Sequence, residues 1–178
     1  MLRIVMIFLV VAVAVVAVVL GIAKARPERI HLRRSVLIAA APEKIFGLID
    51  DFHNWKAWAP GDKDDPSIER TYDGPASGAG AISDWRGAGS TGAGRMSITE
   101  SEPNRKVVVT VDFARPFVAH NLNTFTLEPA GEATRVTWSF DGSNVYMMKV
   151  MSVFVNMDKF MGKHFEEGLQ NLKAAAEK

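Results

Sequence analysis

The first stretch of the chain has no polar face. Ile4 to Ala23 reads IVMIFLVVAVAVVAVVLGIA, twenty apolar or small residues without a break. At 1.5 Å per residue a helix of that length spans about 30 Å, the thickness of a bilayer's hydrocarbon core. A helix that is apolar all round has little use in a water-soluble fold, so the pattern predicts a membrane-spanning anchor through residues 4–23. Ala23-Lys24-Ala25 also fits the cleavage pattern of a secretory signal, but the apolar core of such signals usually runs about 7–15 residues. A retained anchor and linker over 1–25, followed by a separate domain over 26–178, is therefore the expectation. Lys24, Arg26, Arg29, Arg33 and Arg34 follow the span, and only Arg3 and the α-amino group precede it. The positive-inside rule then places the domain on the cytoplasmic face of a single-pass protein, expected in a bacterial inner membrane.

After the linker the period changes. Ile30–Ala39 reads as a strand, with Val36 and Ile38 on one face. Pro42 suits the first turn of a helix and Glu43 its positive end. Ile45, Phe46, Ile49 and Phe52 recur at helical spacing, so this helix extends to about Asp50. The aromatic segment FHNWKAWAP follows. From Pro66 to Phe140 the period falls towards two, with strands expected at 67–72, 80–85, 95–101, 106–113, 121–127 and 134–140. Turn signals separate most of them, among them Asp73-Gly74-Pro75, Glu102-Pro103-Asn104 and Pro129-Ala130-Gly131. From Val145 to Ala176 the helical period returns through Met147, Met151, Phe154, Asp158, Met161, Phe165, Leu169 and Leu172. This predicts one long amphipathic helix. The order predicts an α+β domain in which a curved antiparallel sheet of about seven strands wraps a C-terminal helix. Because a helix and a curved sheet cannot touch along their whole length, a cavity between them is expected. Unbranched Met side chains suit an adaptable wall for it.

Composition narrows the chemistry. The 178 residues suffice for one ordinary domain, and the 48% apolar share excludes wholesale disorder. Net charge is +1 from 21 Lys+Arg against 20 Asp+Glu. The first 26 residues hold three of the cations and no acid, so the rest of the chain carries a slight acidic excess. That excludes an electrostatic nucleic-acid binder. With no cysteine, disulfides, thiolate metal sites and a Cys nucleophile are excluded. His31, His53, His120 and His164 show no ligand spacing, and no metal or cofactor is expected. His164 and Glu167 read as a solvated helix face. Residues 87–92 match G-x-G-x-x-G, but a strand-like segment follows where a dinucleotide site needs a helix, so these glycines read as turn and bulge positions.

The sequence resembles the START/polyketide-cyclase superfamily (SRPBCC), whose domains have the helix-grip fold. The resemblance rests on SVLIAAAPEKIFGLIDDFHNWKAWAP at 35–60, GPASGAGAISDWRG at 74–87, GRMSITESEPNRKV at 94–107, DFARPF at 112–117, FTLEPAGEATRVTW at 125–138 and the terminal FEEGLQNLKAAAE. It covers about residues 30–177. The resemblance implies a deep apolar cavity walled by Trp58, Trp85, Phe113, Phe125, Trp138, Met147, Met151, Phe154, Met161 and Phe165. Its guest would be a hydrophobic small molecule or lipid.

Three readings of function follow. In the first, a membrane-anchored protein binds or transports such a guest. In the second, the domain is a polyketide cyclase or dehydratase. Asp158, in phase with Phe154, Met161 and Phe165, would then be its acid/base, since a carboxylate in an apolar cavity gains a raised pKa. Asn121 and Asn123, in phase with Phe125 and Leu127, would either orient a ligand carbonyl or bond neighbouring backbone at a strand end. The plainer alternative for Asp158 is an edge position that reaches solvent or pairs with a cation such as Arg95. In the third reading the domain is a non-catalytic interaction module at the membrane. Trp55 and Trp58 are expected to staple the short helices to the sheet, with a cavity-mouth or membrane-interface position as alternative.

Overall fold

A computed structural model describes residues 2–60, 67–88, 91–115 and 117–178. Helix α1 (Leu2–Lys24) precedes strand β1 (Arg29–Ile38), helix α2 (Pro42–Asp50) and a 3-10 helix (Phe52–Ala57). Six strands follow: β2 (Glu69–Asp73), β3 (Ile82–Arg86), β4 (Ala93–Glu102), β5 (Lys106–Arg115), β6 (Ala119–Ala130) and β7 (Ala133–Ser143). Helices α3 (Tyr146–Phe154) and α4 (Met157–Ala176) complete the chain.

The seven strands form one antiparallel sheet in the order β1-β7-β6-β5-β4-β3-β2. Closing the sequence onto itself this way leaves only β1 and the short β2 as edges. Register decides which side chains face inward. Phe125 pairs with Trp138 and with Val107, and Val136 with Val36 and Leu127. These alternate positions make up the buried face, while His31, Arg33, Leu122, Thr124 and Ser139 line the outer one. β4 carries a register shift between Ile98 and Glu100 that bends the sheet. Helix α4 packs over β1, β7, α2 and the 3-10 helix, so the core lies between it and the inner face.

Local chemistry accounts for the short helices. Pro42 opens α2, and Glu43 lies in its first turn. Asp51 then caps the 3-10 helix by accepting from the His53 backbone N–H at 2.8 Å.

The single helix expected over 145–176 is two. Val155 is extended (φ −122°, ψ 135°), and Asn156 starts α4 by accepting from the Lys159 backbone N–H at 3.0 Å. Asparagine is among the strongest N-caps, and it offers this alternative hydrogen bond where a continuous helix would carry on. Apolar spacing runs through the break because Phe154, Asp158 and Met161 remain three or four apart. Periodicity therefore hid it. The consequence is spatial: α3 leaves the sheet and packs on α1.

Asp50, at the C-terminus of α2, is buried and accepts from the Ser101 hydroxyl at 2.6 Å. Burial raises its pKa above the ordinary carboxylate value, the Ser101 hydrogen bond opposes this, and Asp51 adds to it. A carboxylate whose folded pKa exceeds its unfolded pKa is protonated more readily in the folded chain. Stability therefore declines as pH rises from the ordinary carboxylate range through the folded pKa. Asp50→Asn is expected to be at least as stable as the parent at neutral pH, with a shallower decline above about pH 4. Thermal unfolding of the detergent-solubilised chain across that range checks it, and a marked loss of stability at neutral pH would contradict it.

Candidate functional site

The space between the inner face and α4 is occupied by rings. Trp55 and Trp58 lie 4.9 Å apart between centroids, Phe125 and Trp138 4.9 Å, and Trp138 and Phe165 4.4 Å. Trp58 meets Phe125 and Trp138 edge-on at 5.9 and 6.0 Å. Each indole is aimed by one hydrogen bond. Trp55 Nε1 donates to the Ile49 carbonyl and Trp58 Nε1 to the Leu48 carbonyl, each at 2.8 Å. Trp138 Nε1 donates to Asn123 Oδ1 at 2.8 Å. Gly168 on α4 admits this arrangement, because a Cβ there would lie 2.8 Å from the Trp138 ring and 3.1 Å from Pro60.

A second aromatic pair continues the apolar surface across the sheet. Trp85 and Phe113 meet edge-on at 5.1 Å, and Trp85 Nε1 donates to the Thr91 carbonyl at 3.2 Å. The Trp85 indole lies across Gly94, where any Cβ would collide with it. This is a close approach that requires glycine. Met96 and Val111 are buried on the same face.

Of the expected wall residues, the structure brings together Trp58, Phe125, Trp138 and Phe165, with Met161 packed at their edge and Asn123 buried among them. Trp85 and Phe113 form the neighbouring pair. Met147, Met151 and Phe154 lie apart from these. They are on α3 and exposed, because the chain breaks at Val155–Asn156. Trp55 and Trp58 are both buried, which places them as the staple and not at a membrane interface.

Asp158 is not directed into the apolar interior. It sits in the first turn of α4 with its side chain 65% exposed, and its Oδ2 accepts from Arg34 Nη2 at 3.0 Å. Arg34 Nε also donates to Glu166 at 2.8 Å. These hydrogen bonds, from Asp158 first and Glu166 next, raise the Arg34 pKa above its ordinary value. The cation expected beside Asp158 was Arg95, but Arg95 instead grips Asp84 at 2.7 and 2.8 Å and holds its pKa below the usual carboxylate range. Asn121 Oδ1 accepts from the Ser143 backbone N–H at 3.3 Å. Gly89 and Ser90 of the glycine-rich stretch lie outside the described residues. Among the described residues no three His, Asp or Glu side chains converge as metal ligands.

Two open depressions lie away from the aromatic interior. One of about 320 Å³ lies on the outer face beside His31, Leu122 and Asp141. The other, about 550 Å³, lies where α1 meets α3, lined by Lys24, Glu28, Asn144, Tyr146 and Lys149. Sequence reasoning missed the second one, because it depends on the break before α4. In it Lys149, nearly fully buried, pairs with Glu28 at 2.5 Å.

The Asn123–Trp138 bond sets the polarity of the interior. Asn123→Leu is expected to destabilise the chain by about 1–3 kcal/mol, because the indole N–H is left buried without an acceptor. Asn123→Asp retains an acceptor but buries a charge and is expected to be stable only at acidic pH. Chemical denaturation at two pH values checks both, and an unchanged midpoint for Asn123→Leu would contradict the role assigned to this bond.

The sequence matches the family described as polyketide cyclase / dehydrase and lipid transport over residues 29–177. No curated protein matches it. Solved structures share the fold. One protein from Chromobacterium violaceum is 16% identical with a TM-score of 0.59, the alignment covering 86% of this chain and 99% of that one. The Aha1 dimer from Colwellia psychrerythraea is 21% identical with a TM-score of 0.56, covering 83% and 96%. The di-domain ARO/CYC StfQ from the steffimycin biosynthetic pathway is 10% identical with a TM-score of 0.62, covering 84% of this chain and 51% of that one. With its seven-stranded sheet gripping α4 and a family match over all but the first 28 residues and the last, the chain belongs to the polyketide cyclase / dehydrase and lipid transport family.

Proposed function

We propose that the domain over residues 26–178 binds a hydrophobic small molecule or lipid between its sheet and α4, and that α1 holds it at a membrane. The observation that carries this reading is the continuous apolar inner face from Phe165 and Trp138 to Trp85 and Phe113. The central rings make three hydrogen bonds, from Trp138 to the Asn123 amide and from Trp55 and Trp58 to backbone carbonyls. Such a surface accepts a guest by non-directional burial, at about 25 cal/mol per Å² before the costs of association. The family's description, which includes lipid transport, supports the same chemistry. α1 is long and apolar enough to span a bilayer and is exposed along most of its length, which supports a membrane over a buried core position. Lys24 and Arg26 at its C-terminal end support a cytoplasmic domain.

The cyclase or dehydratase reading has less support in the geometry, since Asp158 faces Arg34 and solvent. The two readings separate experimentally. Asp158→Asn is expected to leave guest occupancy and thermal stability nearly unchanged. Native mass spectrometry of the full chain released from nanodiscs is expected to show one apolar molecule bound per chain, in parent and variant alike. A parent chain that carries and takes up no apolar molecule would contradict the binding reading. Turnover of a polyketide-like substrate lost in Asp158→Asn would favour the enzyme. Protease treatment of right-side-out and inverted vesicles tests sidedness, with cleavage of the domain expected only in inverted ones.

A further inference from the structure

The large apolar side chains that remain exposed are not scattered. Outside α1, all of those among the described residues except Leu37 and Tyr72 fall in two stretches, 117–122 and 146–160. Val118 is 67% exposed and Phe154 73%. Strand register puts both stretches at one end of the sheet. Arg29 pairs with Ser143, Asn121 with Gly142, and Phe113 with Ala119. The β5–β6 turn, the segment leaving α1 and the start of α3 therefore share one edge of the molecule.

α3 is also fixed against the end of α1. The Tyr146 hydroxyl donates to the Leu20 carbonyl at 3.4 Å, and Arg26 Nη2 donates to the Ser152 carbonyl at 3.2 Å. Ala23 is fully buried where α1 and α3 meet. Leu20 lies about one turn, about 5 Å, inside the end of the apolar run. With α1 filling the hydrocarbon core, Tyr146 stands at the core's boundary. Ser152 is then level with the first residues beyond it. The headgroup region on each side is about 5–8 Å deep. Tyrosine is enriched at that level. Lys24, Arg26 and Arg115 are exposed at the same edge, where anionic headgroups attract cations.

The geometry points to a second membrane contact: the apolar face of α3 and the exposed side chains of Phe117 and Val118 rest in the headgroup–acyl boundary of the bilayer that α1 crosses. This rests on the reading of α1 as a membrane span. The surface is continuous with the lipid-facing side of α1, which singles out the bilayer over a partner protein. A helix of nine residues has little stability alone in water, so packing on α1 and burial in lipid are what hold α3 in shape. Two points of attachment stop the domain swivelling on residues 25–28. They also hold one end of the sheet against the lipid.

The chain has no cysteine, so single labels can be placed cleanly. Phe117→Cys, Met147→Cys and Phe154→Cys would each carry a nitroxide in the full chain, in nanodiscs of phosphatidylcholine and phosphatidylglycerol. Val10→Cys serves as the lipid reference and Leu37→Cys as the water reference. The expected result is an oxygen-to-nickel-chelate accessibility ratio at 117, 147 and 154 several-fold above that at 37 and approaching that at 10. Ratios equal to that at 37, with position 10 lipid-like, would overturn the docking while leaving the span intact. A water-like position 10 would remove the span and the docking together, with guest binding still testable by mass spectrometry. Dipolar broadening between Phe154→Cys labels on two chains in one disc would overturn it in favour of a second copy covering the α3 face.

Discussion

Contact between aromatic rings of the inner sheet face and those of α4 and the 3-10 helix is the constraint that the rest of the domain accommodates. Each large ring removes about 150–250 Å² from water, a gross gain of about 4–6 kcal/mol at about 25 cal/mol per Å² and an upper bound against a compact unfolded chain. One indole hydrogen bond contributes about 1 kcal/mol net. Burial thus dominates stability, and the bonds from Trp55, Trp58 and Trp138 decide orientation. In the proposed reading the same rings form the surface offered to a guest. A bound molecule replaces ring–ring contact with ring–guest contact. Its affinity is the burial of its own apolar surface less the cost of parting the rings.

Polar chemistry is arranged around that interior. Arg34 bridges β1 to α4 through Asp158 and Glu166, Arg95 ties β3 to β4 through Asp84, and Lys106 joins Glu100 and Glu102 across a turn. These are mostly solvent-facing pairs, and their chief effect is on local geometry. Asp50, held by Ser101 at the far end of α2, and Lys149, paired with Glu28, are buried. Among the described residues, the groups placed to act on a guest are therefore apolar surfaces and the Asn123 amide.

Much of the fold could be read along the chain because alternation and helical spacing report directly on which face is buried. Pro42 with Ile45 and Ile49, and the alternation from Val107 through Phe125 to Trp138, sufficed for α2 and the sheet. The strands extend beyond the expected limits, as with Ala119–Ala130 for β6, because cross-strand pairing continues past the last alternating residue. The break at Val155–Asn156 was legible only as a capping residue, a local signal that the surrounding apolar spacing outweighed. Missing it put Met147, Met151 and Phe154 on the wrong surface and Asp158 on an apolar stripe. The aromatic part of the interior, Trp58, Phe125, Trp138 and Phe165, was legible because these side chains must be buried somewhere. Which cation meets Asp158 was not, because ion pairing depends on long-range register between β1 and α4.

All four tryptophans (Trp55, Trp58, Trp85 and Trp138) are buried on or beside the inner face, so their emission reports directly on its occupancy. Titration of the full chain in nanodiscs with a brominated fatty acid is the most direct test of an apolar guest between sheet and α4. The account predicts saturable quenching that an unlabelled competitor reverses. Emission unaffected by the brominated acid, or quenched only in linear proportion to its amount in the lipid, would contradict it.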